Sequence, residues 1–311
     1  MSSEKKSIDV IAVGHALVDI RIQVREFPAP DQESPILRTK WGAGGSAVNV
    51  SIAVKRLDMK SGIIAKIGFD SFGRIIVDEL LKEGVDIRGL RVSWQDTGFT
   101  IVAIDPSGDI TMYGYKGSAE DLSPMEIDED LIRESKHLHV ASLRIDTSLR
   151  ALEIAKSYGL ATSWDPGRVL SRKGLTELRK ILGLTDIVLL NRQEAHYMTN
   201  EEDYKKAAEI IREAGPNIVV VKLGKDGSYI LSKESAEYIP AFQVKNPVDT
   251  TGAGDAYAAG FITSLLRGYN LRKAALYASA VAALKIMRLG SHEVPSHEEV
   301  INFIWDTIPT F

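Results

Sequence analysis

Apolar residues fall along this chain in two rhythms. Residues 8 to 14 (IDVIAVG) are an almost unbroken apolar run ending in glycine, as in a strand buried on both faces. Residues 18 to 24 (VDIRIQV) alternate instead. Val18, Ile20, Ile22 and Val24 point one way and Asp19, Arg21 and Gln23 the other, which predicts a strand covered on one side only. TIVAI and ITMYG flank the turn DPSGD at 105–109 and predict a hairpin. Together these pieces form a small sheet that projects from the main body, a lid spanning about 17–40 and 95–118.

The rest of the chain alternates between periods. AVNVSIAVKRL (47–57) is helical, GIIAKIG (62–68) is a strand, and RIIVDELLKEG (74–84) is a helix closed by Gly84. After the hairpin come LHVAS (138–142), a helix near 148–158, and the strand ATSWD (161–165). A helix near 172–182 leads to DIVLLN (186–191), a helix near 202–214, and NIVVVK (217–222). AYAAGFITSLL (256–266) reads as a buried helix in which Gly260 suits close packing. This order predicts an α/β fold: a doubly wound, mostly parallel sheet with helices on both faces, plus the small β-sheet lid. Ligands of such sheets bind outside the carboxyl ends of the strands. Asp165, Asn191, Lys222, Gly224 and Gly227 stand at such ends.

Composition narrows the chemistry. The 311 residues carry a net charge of −4, so no global basic field recruits nucleic acid, and any phosphate site must be local. There is no cysteine, which excludes disulfides and thiol chemistry. No apolar run is long enough for a bilayer, and MSSEKKS at the start is a polar tail without a signal core, so no membrane partner and a cytoplasmic location are expected. The six histidines show no metal-ligand spacing, and His137 and His139 read as structural strand residues.

Two glycine clusters carry the candidate chemistry. In DTTGAGDAYAAG (249–260) the amides of Gly252, Ala253 and Gly254 would point outward at a helix N-terminus, a site for an anion. Asp255 beside them is either a cap or a base set next to a phosphate. In GAGGSAVN (42–49) the first six residues also fit G-x-G-x-x-A, the dinucleotide fingerprint of an NAD-dependent oxidoreductase, with Asp70 downstream. That fingerprint needs a central apolar strand before it, and PILRTKW is too polar for one. A better use of Gly44 and Gly45 is close approach of a polyhydroxylated ligand to bare backbone, with Asn49 reaching a ligand hydroxyl.

Read in order, GAGGSAVN, IGFDSFG (67–73), NRQE (191–194), KLGKDGS (222–228), DTTGAGDAYAAG and Gly290 resemble the ribokinase-like, or PfkB, family of carbohydrate and nucleoside kinases nearly end to end. GHALVDIRIQVREFP (14–28) and DPGR (165–168) look most like its archaeal nucleoside kinases. The resemblance implies one kinase domain over 1–311 that moves the γ-phosphoryl group of ATP to an alcohol. It implies Asp255 as general base and the amides of Gly252, Ala253 and Gly254 as the anion hole. Nucleotide contacts fall to Asn191, Lys222, Gly224, Gly227 and Gly290, with Lys222 standing where many relatives carry threonine. Glu194 would meet Mg²⁺ through water. Asp249 and Thr251 fall where relatives build a monovalent cation site, so K⁺ activation is open.

Acceptor contacts implied by the resemblance are Asp19, Gly44, Gly45 and Asn49, with Arg144 and Arg168 as cations suited to an acidic acceptor. Leu17 departs from the asparagine of ribokinase itself, which argues against free ribose. A ribose-containing acceptor is favoured, nucleoside first; a phosphorylated sugar, a sugar acid, inositol, and ADP as donor stay open. The apolar lid face predicts a homodimer through the lid.

Overall fold

A computed structural model describes residues 6–107 and 109–308. Residues 1–5, most of the polar tail, and Gly108 of the hairpin turn lie outside the described residues. In chain order the elements are β1 (Ile8–Gly14), β2 (Leu17–Val24), β3 (Ile36–Gly44), α1 (Ser46–Arg56), β4 (Ser61–Gly68), α2 (Ser71–Lys82) and β5 (Asp86–Ser93). Then come β6 (Thr97–Ile104), β7 (Ile110–Gly117), α3 (Glu129–Arg133), β8 (Ser135–Ala141), α4 (Ile145–Ser157), β9 (Ala161–Asp165), α5 (Gly167–Ser171) and α6 (Gly174–Gly183). The chain continues with β10 (Ile187–Asn191), α7 (Arg192–Thr199), α8 (Tyr204–Glu213), β11 (Ile218–Lys222), β12 (Ser228–Leu231) and β13 (Ala236–Ile239). It closes with α9 (Ala253–Leu266), α10 (Leu271–Ile286) and α11 (His297–Thr307).

The main sheet runs β13-β12-β11-β10-β9-β8-β1-β4-β5. Its pairings are parallel except β11–β12 and β12–β13 at one edge, strands not foreseen from the apolar pattern. β1 is central because its unbroken apolar run feeds both faces: Ile11 and Val13 enter one core, Val10 and Ala12 the other. The chain leaves β1 toward β4 on one side and returns through β8 on the other. That reversal puts the crevice of a doubly wound sheet above the carboxyl ends of β1 and β8. Gly260 does allow close packing: a Cβ there would lie 2.9 Å from the Cα of Ala278, so α9 and α10 touch through backbone. The alanines of α10 belong to this contact.

The lid is a four-stranded sheet, β3-β2-β6-β7. Its apolar side is only partly covered. Val18 and Ala43 at the base are buried, with Phe72 of α2 packed edge-on against Trp41 and Phe99. Farther out, Trp41, Tyr113 and Tyr115 are exposed. The expectation that β2 is covered on one side only needs correction. Asp19 and Arg21, on its polar side, are 6% and 5% exposed, because the body of the protein closes over them. The polar PILRTKW stretch forms much of β3, an edge strand of the lid, where burial asks little of it.

Asp70 joins lid to body. It caps α2 by accepting from the Gly73 amide at 2.7 Å and also accepts from both the amide and the hydroxyl of Thr97, at the start of β6, each at 2.7 Å. Burial pushes its pKa up, but these donors outweigh burial and hold it below the ordinary carboxylate value. A depressed pKa means stabilisation present above the unfolded value and lost as pH falls through the folded one. Asp70→Ala should therefore cost about 2–3 kcal/mol at neutral pH, trimmed by partial solvent access, and progressively less in acid. Urea denaturation at neutral and at acid pH checks this; an equal loss at both would leave the carboxylate out of it.

Candidate active site

The strand ends gather four charged groups in the crevice. Asp165 ends β9, Asn191 ends β10 with Glu194 one turn on, Lys222 ends β11, and Asp255 lies in the first turn of α9. Lys222 is turned inward rather than into solvent. Its Nζ lies 2.7 Å from Asp165 Oδ2 and 3.2 Å from where a Cβ on Gly254 would sit, so it rests against the anion-loop backbone. Burial alone would lower its pKa, but Asp165, Glu194 and Asp255 reverse that and raise it.

Asn191 and Glu194 form a reciprocal cap. The Asn191 amide donates to Glu194 Oε2 at 2.8 Å, and the Glu194 amide to Asn191 Oδ1 at 2.9 Å. Glu194 is buried, and burial followed by the Asp165 charge raises its pKa against Lys222. Arg168, exposed on α5, also acts on Glu194 and lowers its pKa. Gly224 and Gly227 bracket the turn between β11 and β12, where the Leu223 amide donates to the Gly227 carbonyl at 2.8 Å.

Gly252 turns the chain into α9 at φ 76°, and a Cβ there would lie 2.1 Å from the Ser291 carbonyl, so only glycine fits. Asp255 is no cap: Gly252 holds that place, without a side-chain bond. Asn49 Nδ2 donates to Asp255 Oδ2 at 2.7 Å. The Asn49 donor thus holds the carboxylate, and its Oδ1 is buried without a partner. Burial raises the Asp255 pKa to about 7, opposed by Asn49, reinforced by Asp165, and opposed again by Lys222 and Ser46.

Asp19 stands across the crevice. Its Oδ2 accepts from Ser291 Oγ at 2.8 Å and from Arg21 Nη2 at 3.3 Å, while no described side chain donates to Oδ1. A Cβ on Gly44 would fall 2.3 Å from Asp19 Oδ2, so Gly44 is bare to admit a carboxylate of this chain. Gly45 then turns into α1 as its N-cap. Arg144 is not brought to Asp19: its guanidinium is matched by Asp146 at 3.0 and 2.5 Å.

Asp249 is surrounded by donors of this chain. Its carboxylate accepts from the amides of Thr251 at 2.9 Å and Gly290 at 3.0 Å and faces Arg21 Nε at 3.1 Å; its carbonyl accepts from Lys285 Nζ at 2.7 Å. This set does not fit the monovalent cation expected at Asp249 and Thr251, because internal cations already take both kinds of oxygen. Arg21, Lys285, Ser291 and Ser46 were given no role from sequence, and Asp165, placed there at a strand end, gains its partner Lys222 only in the structure. His137 and His139 share Ser163 Oγ at 2.7 and 2.8 Å, and burial takes their pKa values down to about 3 and about 4, so both are structural and neutral.

A model of the pfkB family carbohydrate kinases matches residues 7–298. This chain belongs to the PfkB family of carbohydrate kinases. The ATP-dependent ribose-1-phosphate kinase of Halopiger xanaduensis is 33% identical over 96% of this chain and 98% of that protein. The nucleoside kinase of Methanothermobacter thermautotrophicus is 32% identical over 94% of each. A putative ribokinase II from E. coli, solved with ATP and Mg²⁺, superimposes with TM-score 0.84 at 27% identity, covering 96% of this chain and 99% of that one. The chain is thus a sugar or nucleoside kinase with the ribokinase-like fold. The oxidoreductase reading fails on two findings: the family, and the position of Gly42 and Gly44 in the lid strand β3 rather than after a central strand. No helix of the described residues is long and apolar enough to cross a membrane.

In this PfkB crevice one ammonium answers three carboxylates, which makes Lys222 a sensitive position. Lys222→Met should lose roughly 3–5 kcal/mol of stability, the cost of leaving a buried carboxylate unpaired. Denaturant unfolding measures it, and a loss under about 1 kcal/mol would mean that water solvates Asp165.

Proposed function

We propose that this kinase transfers the γ-phosphoryl group of ATP to a hydroxyl of a ribose-containing acceptor, nucleosides first. The observation that carries the reading is the Asp255 carboxylate, held by Asn49, with its pKa raised to about 7, beside the amides of Gly252, Ala253 and Gly254. The acceptor hydroxyl loses its proton to Asp255 as its oxygen bonds to the γ-phosphorus, and the bond from that phosphorus to the bridging oxygen breaks to release ADP. The three amides and Lys222 hold the charge on the transferred oxygens. Asp165, Glu194 and Asp255 leave negative charge in excess of Lys222, a balance that fits a hydrated Mg²⁺ near Glu194. That ion, when bound, neutralises charge on the nucleotide phosphates. Asp19, with Oδ1 free of partners from this chain, accepts from neighbouring ribose hydroxyls.

A second acceptor, ribose 1-phosphate, is favoured by Lys116 at the end of β7. Its ammonium makes no ion pair among the described residues, and its charge acts on Glu120 and Asp19. Both readings place a ribose ring on Asp19, and the two kinases 33% and 32% identical to this chain are named for such acceptors.

A coupled assay with MgATP or MgADP over nucleosides, ribose 1-phosphate, pentoses, hexoses, sugar acids and inositol tests the reading; turnover confined to a hexose or a sugar acid would sink it. Asp255→Asn should lower kcat by about 10² to 10⁴-fold with MgATP affinity unchanged. In the parent, kcat/KM should fall as pH drops below about 7, because the base must be ionised. Asp19→Ala should weaken acceptor binding by roughly 2–4 kcal/mol and leave ATP binding alone, as separate calorimetric titrations would report.

We also propose a homodimer through the lid, supported by the exposed apolar side that Trp41, Tyr113 and Tyr115 present at 52%, 65% and 46% exposure. Sedimentation should find a dimer that Tyr113→Glu dissociates; a parent that stays monomeric at high concentration would refute it.

A further inference from the structure

Lys285, near the end of α10, is fully buried, and its ammonium donates to the backbone carbonyl of Asp249 at 2.7 Å. No described carboxylate lies within ion-pair distance of it. Holding a buried ammonium on a carbonyl is costly, so a lysine here needs a reason. Burial pulls its pKa down to about 8, while the carboxylates of Asp249, Asp255 and Asp19 support its charge against Arg21. Those three carboxylates belong to the anion loop, the base and the acceptor contact.

The loop that Lys285 holds carries the anion hole. The amides of Val248 and Asp249 donate to the Ile286 carbonyl at 2.7 and 3.2 Å, so the residue after Lys285 grips the same segment. Asp249 in turn takes the Thr251 amide, one residue before Gly252. A metal ion at Asp249 and Thr251 would meet a carbonyl already bonded to an ammonium and a carboxylate already facing a guanidinium and two amides. Two buried positive charges repel a third.

We infer that Lys285 is a positioning residue that replaces a bound monovalent cation: it keeps the Gly252, Ala253 and Gly254 amides aimed, and phosphoryl transfer by this chain needs no K⁺. The inference rests on the kinase reading. MgATP binding by calorimetry comes first, since a chain that binds no MgATP in any salt would refute that reading and not this one. Parent kcat and melting temperature should then agree within about twofold and about a degree between KCl and tetramethylammonium chloride at equal ionic strength. Activation by K⁺ of about tenfold or more would overturn the inference.

Lys285→Ala removes the charge and leaves space at the Asp249 carbonyl. In tetramethylammonium chloride its kcat should drop about 100-fold, the scale of losing one electrostatic contact, and KCl or ethylammonium should restore at least about tenfold. A loss that neither ion repairs would assign Lys285 to packing and overturn the proposal, as would a variant as active as the parent. If this variant does not fold, the parent's response to K⁺ decides alone.

Discussion

The crevice holds more carboxylate than it can neutralise from within, and this charge imbalance governs the rest of the structure. Asp165, Glu194 and Asp255 converge on one ammonium, that of Lys222. Each carboxylate is kept partly from water, so each ionised form is costly unless donors reach it. Asp165 has Lys222 at 2.7 Å, whereas Glu194 and Asp255 are left with raised pKa values. A site in this condition attracts positive charge and holds a base near neutrality. Both properties suit the handling of a metal-bound polyphosphate.

On the lid side of Gly252 the same constraint is met in the opposite way. Asp249 lies among two amides, a guanidinium and the carbonyl-bound Lys285, and these donors bring its pKa below the usual range despite burial. One aspartate is therefore firmly ionised and structural, and another a few residues on titrates near neutrality. The physical difference is the number of donors that the fold brings to each. Arg21 extends the Asp249 cluster to Asp19, so the turn before α9 and the lid strand β2 share one buried guanidinium.

Close backbone approach is the second requirement. Gly44 lets the Asp19 carboxylate lie over the lid strand, and Gly252 lets the anion loop pass the Ser291 carbonyl. Ser291 then donates to Asp19. Asp19, the Gly252 turn and the segment after α10 are thus one packed unit.

The sequence by itself determined the alternation of strands and helices, the lid hairpin, the glycine-rich start of α9 and the strand-end positions of Asp165, Asn191 and Lys222. These are local matters: apolar period, turn chemistry and the conformational freedom of glycine decide them within a few residues. It did not reveal β5, β12 and β13, or that β3 is a strand, because β12 and β13 are only four residues long and β3 and β5 lie at sheet edges, where burial imposes little apolar pattern. Only the tertiary structure decided which way the charged side chains face. The polar side of β2 looks solvent-facing in sequence, yet the body closes over it and buries Asp19 and Arg21. Asn49 meets Asp255 across 206 positions, and Ser291 meets Asp19 across 272. Lys285 sits in an alanine-rich helix where nothing local separates a buried ammonium from an exposed one. Such pairings depend on the packing of distant segments, and a one-dimensional pattern holds no measure of that distance.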